Sequence, residues 1–264
     1  MKIDLISDIH IDIYIKDPQG DYKTHKYDKF IEEVLVPNDS DILSIAGDIG
    51  HYNKQNVLLL EKLSKYYKHV LFTLGNHDFW LMGNKQKHRY KYGFNRVSEF
   101  MSMELPKNVH FVDKVMDIDG LKVSGFLGFY DGSYLPSAEE WWKEKQYRNF
   151  NDYVQIPETD SYKYLHNKYK YTGSFEKIDL MITHVNPSTK YEHQSYSLKD
   201  DNDTMFYCFD GQELRDKLQP EVWHFGHTHE KIQYRIGNTD FICNPFGYPF
   251  ETNGKSGFIA QIEI

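Results

Sequence analysis

The stretch His69-Val70-Leu71-Phe72-Thr73-Leu74-Gly75-Asn76-His77-Asp78 places an amide, an imidazole and a carboxylate directly after an apolar run. The run has the length and composition of a buried strand, and Gly75 allows the backbone to turn where the strand ends. In open α/β sheets, functional side chains gather just outside the carboxyl ends of the strands. The polar residues that follow this strand are therefore candidates for a functional site.

Other apolar runs end in the same kind of residue. Four of them cover residues 3–6, 41–46, 178–183 and 222–225, and the side chains that follow are Asp8 and His10, Asp48, His184, and His227 and His229. Further strands are predicted at 109–112, 121–126, 239–243 and 256–262. Helical patterns at 30–35 and 57–63 alternate with the first strands, which favours βαβ units. The sequence thus predicts an α/β fold in which five strand ends present acids, an amide and histidines.

These residue types indicate a metal site. Carboxylate, imidazole and amide groups suit Mn²⁺, Fe²⁺ or Zn²⁺ in open sites that keep water. Asp8 and His10 are alternate residues of an extended segment, so both side chains point to one side and reach the same ion. The whole set is large enough for two ions roughly 3.5–4 Å apart, provided that one carboxylate bridges them. The sequence contains no Gly-x-x-x-x-Gly-Lys loop, so hydrolysis is favoured over transfer from ATP.

The composition sets the broad class. A length of 264 residues is normal for one large α/β domain, and we expect a single domain over residues 1–264. No apolar stretch is long enough to cross a bilayer, and the start of the chain turns polar too early for a secretory signal. With only Cys208 and Cys243, no disulfide framework is expected, which favours a reducing, cytoplasmic setting. The net charge of −8 speaks against a surface that grips long duplex nucleic acid.

Taken in order, the strand-end motifs resemble those of the calcineurin-like metallophosphoesterases. The motifs are Asp8-x-His10, Gly47-Asp48, Gly75-Asn76-His77-Asp78, His184 and Gly226-His227-Thr228-His229. The resemblance runs from residue 8 to residue 229 and so covers nearly the whole chain. It implies a four-layer sandwich of two packed mixed β-sheets flanked by helices, as in small stand-alone bacterial and phage members of the superfamily.

The resemblance also implies roles for individual residues. A first metal would be held by Asp8, His10, Asp48 and His229, and a second by Asp48, Asn76, His184 and His227, with Asp48 bridging the two. His77 would be the outer-sphere histidine that protonates the leaving oxygen. Mn²⁺ is the expected ion at both positions, with Fe, Zn and Ni as alternatives.

The implied reaction is hydrolysis of a phosphate ester by a metal-activated water. His51 stands three residues after Asp48, where the nuclease branch of the superfamily has a histidine and the protein phosphatases have an aspartate leading into an arginine. His51 is therefore a second catalytic candidate. Its presence favours phosphodiesters: a nucleotide, a cyclic nucleotide or a short nucleic acid. The alternatives are a phosphomonoesterase or protein phosphatase, and a non-catalytic scaffold with the same fold.

The segment 131–174 separates two predicted strands and is rich in aromatic residues. Helix formers at 137–145 predict an insert, or cap, with its own helices. Its aromatic residues include Trp141, Trp142, Tyr147, Phe150, Tyr153, Tyr162, Tyr164, Tyr169 and Tyr171. Most are expected to pack the insert onto the sheet, whereas a few are candidates to stack on the base of a small, nucleotide-like substrate.

Overall fold

Two mixed β-sheets form the centre of the protein, which we describe from a computed structural model covering residues 1–20, 25–144, 150–157, 163–199 and 202–264. The first sheet contains Lys2–Ile6 (β1), Ile42–Ala46 (β2), His69–Thr73 (β3), Val109–Phe111 (β4) and Ala260–Glu263 (β11), in the spatial order β11-β1-β2-β3-β4. The second contains Met116–Ile118 (β5), Leu121–Gly125 (β6), Leu180–Ile182 (β7), Val222–Phe225 (β8), Ile232–Ile236 (β9) and Thr239–Cys243 (β10), in the order β5-β6-β7-β8-β10-β9.

Parallel pairing brings the ends of the inner strands together. Strands β1 to β4 pair in parallel in the first sheet, and β6, β7, β8 and β10 do so in the second. The edge strands β11, β5 and β9 are antiparallel to their neighbours. Strand β2 contacts both β7 and β8, so the two sheets face each other. Ser7, which follows β1, pairs in parallel with Pro245, which follows β10, so the carboxyl ends of inner strands from both sheets lie in one region.

Apolar side chains hold the two sheets together. Ile3 and Ile42 of the first sheet are fully buried in one cluster with Leu180 and Ile182 of the second. All five residues of β2 are buried, as expected for a strand covered on both faces. Each square ångström of apolar surface removed from water contributes about 25 cal/mol, so this core is the main source of stability.

The helices cover the outer faces of the sheets and connect the strands. They are Ile11–Tyr14 (α1), His25–Lys29 (α2), Asn53–Leu63 (α3), Gly83–Tyr90 (α4), Gly93–Ser102 (α5), Ala138–Lys143 (α6), Asn151–Gln155 (α7), Tyr164–Lys168 (α8), Gln212–Leu218 (α9) and Pro249–Thr252 (α10). Helix α2 continues into a π-helical turn at Phe30–Leu35, and a 3₁₀ turn lies at Asn76–Asp78.

The predicted fold class is confirmed: two mixed sheets of five and six strands are flanked by helices. The strand predicted at 256–262 is shorter than expected and begins only at Ala260. Gly257 has a left-handed backbone with φ of 74°, outside the β region of regular strands. Strand β5 was missed, although Asp119-Gly120 is the sequence of a tight hairpin turn and both residues have positive φ. Strand β9 was missed as well.

The segment 131–174 contains α6, α7 and α8 in its described part. Trp142 and Phe150 both lie against Phe206, with ring centroids 5.9 and 4.3 Å from it. These aromatic contacts pack Trp142 and Phe150 against Phe206. Tyr147, Tyr162 and the end of the helix predicted at 137–145 lie outside the described residues.

Candidate metal centre

The polar residues at the five strand ends converge on one place. Asp8 and His10 follow β1, Asp48 follows β2, Asn76 and His77 follow β3, His184 follows β7, and His227 and His229 follow β8. Three groups of them have candidate ligand atoms that all lie within 4.8 Å of one another: Asp8, His10 and His229; His10, Asp48 and His77; and Asp48, His184 and His227. Side chains from both sheets therefore form one cluster.

Several residues of this cluster have a left-handed backbone. The φ angles are 53° at Asp8, 45° at His10, 56° at Asp48, 73° at His227 and 53° at His229. Non-glycine residues adopt this region at a cost of order 1–3 kcal/mol each, and such residues concentrate at functional sites. The turns after β1, β2 and β8 thus aim the side chains inward at an energetic cost.

Two glycines leave room for the carboxylates. A Cβ atom on Gly75 would collide with the carboxylate of Asp48, and one on Gly226 would lie 2.7 Å from Asp8 Oδ2. The Gly-Asn-His and Gly-His-Thr-His motifs therefore need glycine for close approach to an acid from another strand.

In the first group, nitrogen atoms of two histidines face each other. His10 Nε2 lies 3.1 Å from His229 Nε2, and the latter lies 3.5 Å from Asp8 Oδ1. His229 Nδ1 donates a hydrogen bond to Glu251 Oε2 at 2.8 Å, so in the neutral ring its Nε2 carries a lone pair. The group presents a carboxylate and imidazole nitrogens to one point.

In the group of Asp48, His184 and His227, backbone carbonyls decide which histidine nitrogen faces inward. His184 Nδ1 donates to the carbonyl of Ala46 at 2.8 Å, and His227 Nε2 donates to the carbonyl of Phe206 at 3.0 Å. Because a carbonyl only accepts, each of these nitrogens carries the proton. His184 Nε2 and His227 Nδ1 are therefore the lone-pair nitrogens of the neutral rings.

Asp48 belongs to two of the three groups and faces histidines of both. Its Oδ2 is 3.3 Å from His184 Nε2 and 3.9 Å from His10 Nε2, and its Oδ1 accepts a hydrogen bond from the backbone N–H of His77 at 2.9 Å. One carboxylate thus faces both His184 and His10.

The donor set fits divalent cations. His184 Nε2 lies 2.9 Å from Asn76 Oδ1 and 3.3 Å from Asp48 Oδ2, so three acceptors meet with no hydrogen between them while His184 is neutral. Burial opposes a charge on His184, yet the neighbouring charge of Asp48 raises the pKa of this histidine to about 9. Burial lowers the pKa of His227 to about 3, which keeps that ring neutral and able to bind metal. The point where His184 Nε2, Asn76 Oδ1 and Asp48 Oδ2 meet therefore favours a positive charge, either a proton or a metal ion.

His77 and His51 form a hydrogen-bonded pair beside the cluster. His77 Nδ1 lies 2.7 Å from His51 Nε2, and His51 Nδ1 donates to Asp12 Oδ2 at 2.8 Å. His77 Nε2 points the other way and lies 3.8 Å from Asp48 Oδ2. His51 is buried behind His77 with both ring nitrogens engaged, so any action of His51 on a substrate passes through His77.

A buried arginine supports the loop that carries His77. Arg96 of α5 donates to the carbonyl oxygens of His77 at 2.7 Å, Trp80 at 3.1 Å and Gly50 at 2.8 Å. It also donates to Asn53 Oδ1 at 3.1 Å. The guanidinium thus ties the turn after β3 to the turn after β2.

The cluster opens into a cavity of about 270 Å³, and part of its wall comes from the segment 131–174. The described residues that line it are Asp48, Asn76, His77, Trp80, Phe150, Asn151, Asp152, Tyr207, His227, Thr228, His229, Tyr248 and Glu251. Residues 150–152 thus bring this segment to the edge of the cluster.

Sequence reasoning missed four supporting residues: Asp12, Arg96, Asp152 and Glu251. Asp12 had a signal, since it continues the alternation of Asp8 and His10 along the chain. The other three stand in helical stretches whose pattern looks like ordinary surface or core. Their partners are distant in sequence, so only the folded structure reveals them.

Comparison with known proteins agrees with this geometry. A family model described as calcineurin-like phosphoesterase matches residues 1–231. Among solved structures, phosphopantetheinyl hydrolase from Mycobacterium tuberculosis matches 99% of this chain and 95% of its own, with a TM-score of 0.68 and 16% identity. An archaeal phosphodiesterase matches 94% of this chain and 84% of its own, with a TM-score of 0.35 and 14% identity. No curated protein matches the chain in sequence.

The chain therefore belongs to the calcineurin-like phosphoesterases, a family of metal-dependent phosphoester hydrolases. Enzymes of this family depend on two metal ions, and the cluster provides candidate ligand groups for them. Across the described residues, none of the helices is at once long and apolar enough to span a membrane.

Proposed function

We propose that this protein is a dinuclear-metal phosphodiesterase that hydrolyses a small, nucleotide-like phosphodiester. The observation that carries the proposal is the convergence of acceptor atoms from both sheets on Asp48. The first ion would be held by Asp8, His10, Asp48 and His229, and the second by Asp48, Asn76, His184 and His227. Mn²⁺ is the expected ion, with Fe, Zn and Ni as alternatives.

A pair of divalent ions held in this way would polarise the phosphoryl oxygens and activate the attacking water. The chain's own task is to hold the ligands in place and to supply a proton to the leaving oxygen. His77 suits this second task because it lines the cavity, its Nε2 lies 3.8 Å from Asp48 Oδ2, and its Nδ1 is held by His51. General acid catalysis of this kind contributes ~10²–10⁴-fold.

The Asp12–His51–His77 chain can hold that proton. Because Asp12 accepts from His51 Nδ1, one extra proton on the histidine pair leaves an N–H on His77 Nε2, whichever ring carries the charge. Burial lowers the pKa of His77 well below its usual value. The carboxylate of Asp12 and the anionic substrate must therefore stabilise the charged pair, and we assign His51 the role of positioning residue.

The cavity supports diesters over monoesters. Its described lining contains no lysine or arginine, whereas it contains the carboxyl groups of Asp152 and Glu251. A phosphomonoester carries about one more negative charge than a diester near pH 7, and beyond the metals and the histidines these walls offer no fixed positive charge to neutralise it. The volume of about 270 Å³ suits a small molecule rather than a folded protein.

Aromatic side chains and cysteines support two further parts of the proposal. Phe150 and Tyr207 line the cavity and offer surfaces on which a base would stack, each stack contributing ~1–3 kcal/mol. Cys208 and Cys243 are both buried free thiols, which suits the reducing cytoplasm that we propose as the site of action.

The proposal is tested with the purified protein loaded with Mn²⁺. We expect faster hydrolysis of bis-p-nitrophenyl phosphate than of p-nitrophenyl phosphate, and loss of both activities in Asp48→Asn. A preference for the monoester would instead assign a phosphomonoesterase. Two bound ions without turnover of either ester would favour the non-catalytic scaffold, and failure to bind metal would overturn the proposal.

A further inference from the structure

Asp152 is a fully buried carboxyl group at the start of α7, beside the cluster but outside the set of proposed ligands. Its Oδ1 accepts hydrogen bonds from Asn76 Nδ2 at 2.8 Å and from Trp80 Nε1 at 2.6 Å. Its Oδ2 accepts from the hydroxyl group of Tyr130 at 3.4 Å. A buried charge is costly, so three donors around one carboxylate indicate a specific arrangement.

The first contact determines which way the Asn76 amide points. A carboxylate accepts and does not donate, so the nitrogen of the amide must face Asp152. The oxygen of the same amide then faces His184 Nε2, at 2.9 Å. Without Asp152, a half-turn of the amide would present N–H groups, which repel a cation, to the same point.

The second contact reaches His77. The Trp80 indole stacks on the His77 ring with centroids 3.6 Å apart and planes inclined by 23°. The hydrogen bond from the Trp80 indole N–H to Asp152 fixes the orientation of the indole, and the indole in turn packs against the His77 ring. A backbone hydrogen bond from Leu81 N–H to the carbonyl oxygen of Gln155, 2.9 Å long, joins α7 to the loop that follows β3.

We propose that Asp152 is a positioning residue that couples the segment 131–174 to the second metal position through the Asn76 amide. This inference rests on the proposed two-metal function and deepens it. The segment then does more than cover the sheet, because the orientation of one ligand depends on it. Removing the Asp152 carboxylate should weaken the second metal position selectively.

The test is a titration of the metal-free full chain with Mn²⁺, followed by calorimetry, with the wild type and Asp152→Ala compared. Loss of an outer partner of a metal ligand typically weakens binding by about 10–100-fold, and we expect this loss at the second site only. In Asp152→Asn, an oxygen turned towards Asn76 restores one acceptor, so the loss should be smaller. Glu139→Gln, an exposed acid in α6 of the same segment, serves as the matched control and should bind both ions as the wild type does.

A double variant separates positioning from packing. Because Asp152 acts through Asn76, Asp152→Ala should cause no further weakening once Asn76→Ala is present. Equal weakening of both sites, or unchanged affinity in Asp152→Ala and Asp152→Asn, overturns the inference while leaving the proposed function intact. A wild-type protein that binds fewer than two ions overturns the proposed function itself. Should Asp152→Ala fail to fold, Asp152→Asn against the wild type decides in the same way.

Discussion

At the scale of single residues, three inward-facing histidines and one amide are each fixed by a hydrogen bond on the other side of the group: His184, His227, His229 and Asn76. Ala46 and Phe206 provide backbone carbonyls for His184 and His227, and Glu251 provides a carboxylate for His229. Such partners set the tautomer and orientation of a ligand before metal arrives. The two histidines that follow β8 differ in this respect, since His227 is held through Nε2 and His229 through Nδ1. Alternate neighbours in the chain can therefore serve different ions.

The role of His77 is tested by His77→Ala. We expect metal content near that of the wild type, measured by elemental analysis, because His77 is proposed to donate a proton rather than to bind metal. The rate on diesters with a basic alkoxide leaving group should fall by ~10²–10⁴-fold. The fall should be much smaller with p-nitrophenolate, which departs readily without protonation. Loss of one metal ion, or an equal loss of rate on both substrates, would show that His77 is a ligand or a structural residue.

The hydrogen-bonded chain behind His77 makes a separate prediction for Asp12→Asn. This change removes the charge that stabilises a proton on the histidine pair, so the rate on alkoxide esters should fall about tenfold or more with metal content preserved. The His77→Ala background provides the control. In that background, adding Asp12→Asn should cause no further fall in the hydrolysis rate, because Asp12 would act only through His77. If the losses of rate caused by the two substitutions are additive, Asp12 does not act through His77 and the prediction is wrong.

At the scale of elements, α5 holds two loops of the site through one side chain. Arg96 is fully buried, and its donors reach backbone carbonyls of the turns after β2 and β3. Burial lowers the pKa of Arg96, while the nearby charges of Asp78 and Asp12 favour its charged form. A planar fork of donors is required, because three carbonyl groups lie in different directions.

Arg96→Lys should therefore destabilise the protein. An ammonium group cannot reach all of these carbonyls, and each buried acceptor left without a partner costs ~1–3 kcal/mol, so we expect a total loss of about 2–4 kcal/mol. Urea unfolding of the metal-free protein measures this free energy. Arg89→Lys on α4 is the matched control, since Arg89 is mostly exposed and pairs with Glu99 at the surface. If Arg96→Lys has the same free energy of unfolding as the control variant, Arg96 does not stabilise the protein by holding the two turns together.

The contrast between strand ends and helices explains how much of the site could be predicted. Asn76 and His77 follow an apolar strand directly, so their place at the sheet edge can be inferred from local pattern. Arg96 lies in Gly93–Ser102, where nothing local distinguishes a buried guanidinium from one in solvent. The role of Asp152 could not be predicted without knowing how the segment 131–174 packs, and that packing depends on contacts between residues distant in sequence. The fold and the convergent cluster were thus accessible to sequence reasoning, whereas the supporting contacts were not.

At the scale of the whole molecule, the proposed ligands come from both sheets. Asp8, His10, Asp48 and Asn76 follow strands of the first sheet, and His184, His227 and His229 follow strands of the second. Ions that bind these residues together would connect the sheets at the strand ends, in addition to the apolar core between them. Metal binding is then linked to global stability.

A chelator should consequently lower the melting temperature. A ligand present at about 1,000 times its Kd stabilises the folded state by roughly 4 kcal/mol, so removing Mn²⁺ should remove a stabilisation of that order. Scanning calorimetry with and without EDTA measures the shift. Asp48→Asn, which lacks the carboxylate proposed to bridge the two ions, should respond far less. An equal response in the variant would place the stabilising ion elsewhere.

The left-handed backbone at Asp8, His10, Asp48, His227 and His229 has a consequence for the evolution of this chain. Glycine would adopt these conformations without steric cost, so selection for stability alone would favour it at each turn. If the protein no longer had to bind metal, substitution of glycine at these five positions would relieve the steric cost of the left-handed backbone. Aspartate and histidine at these five positions therefore indicate selection for a function, because the stability of the fold alone would not retain them.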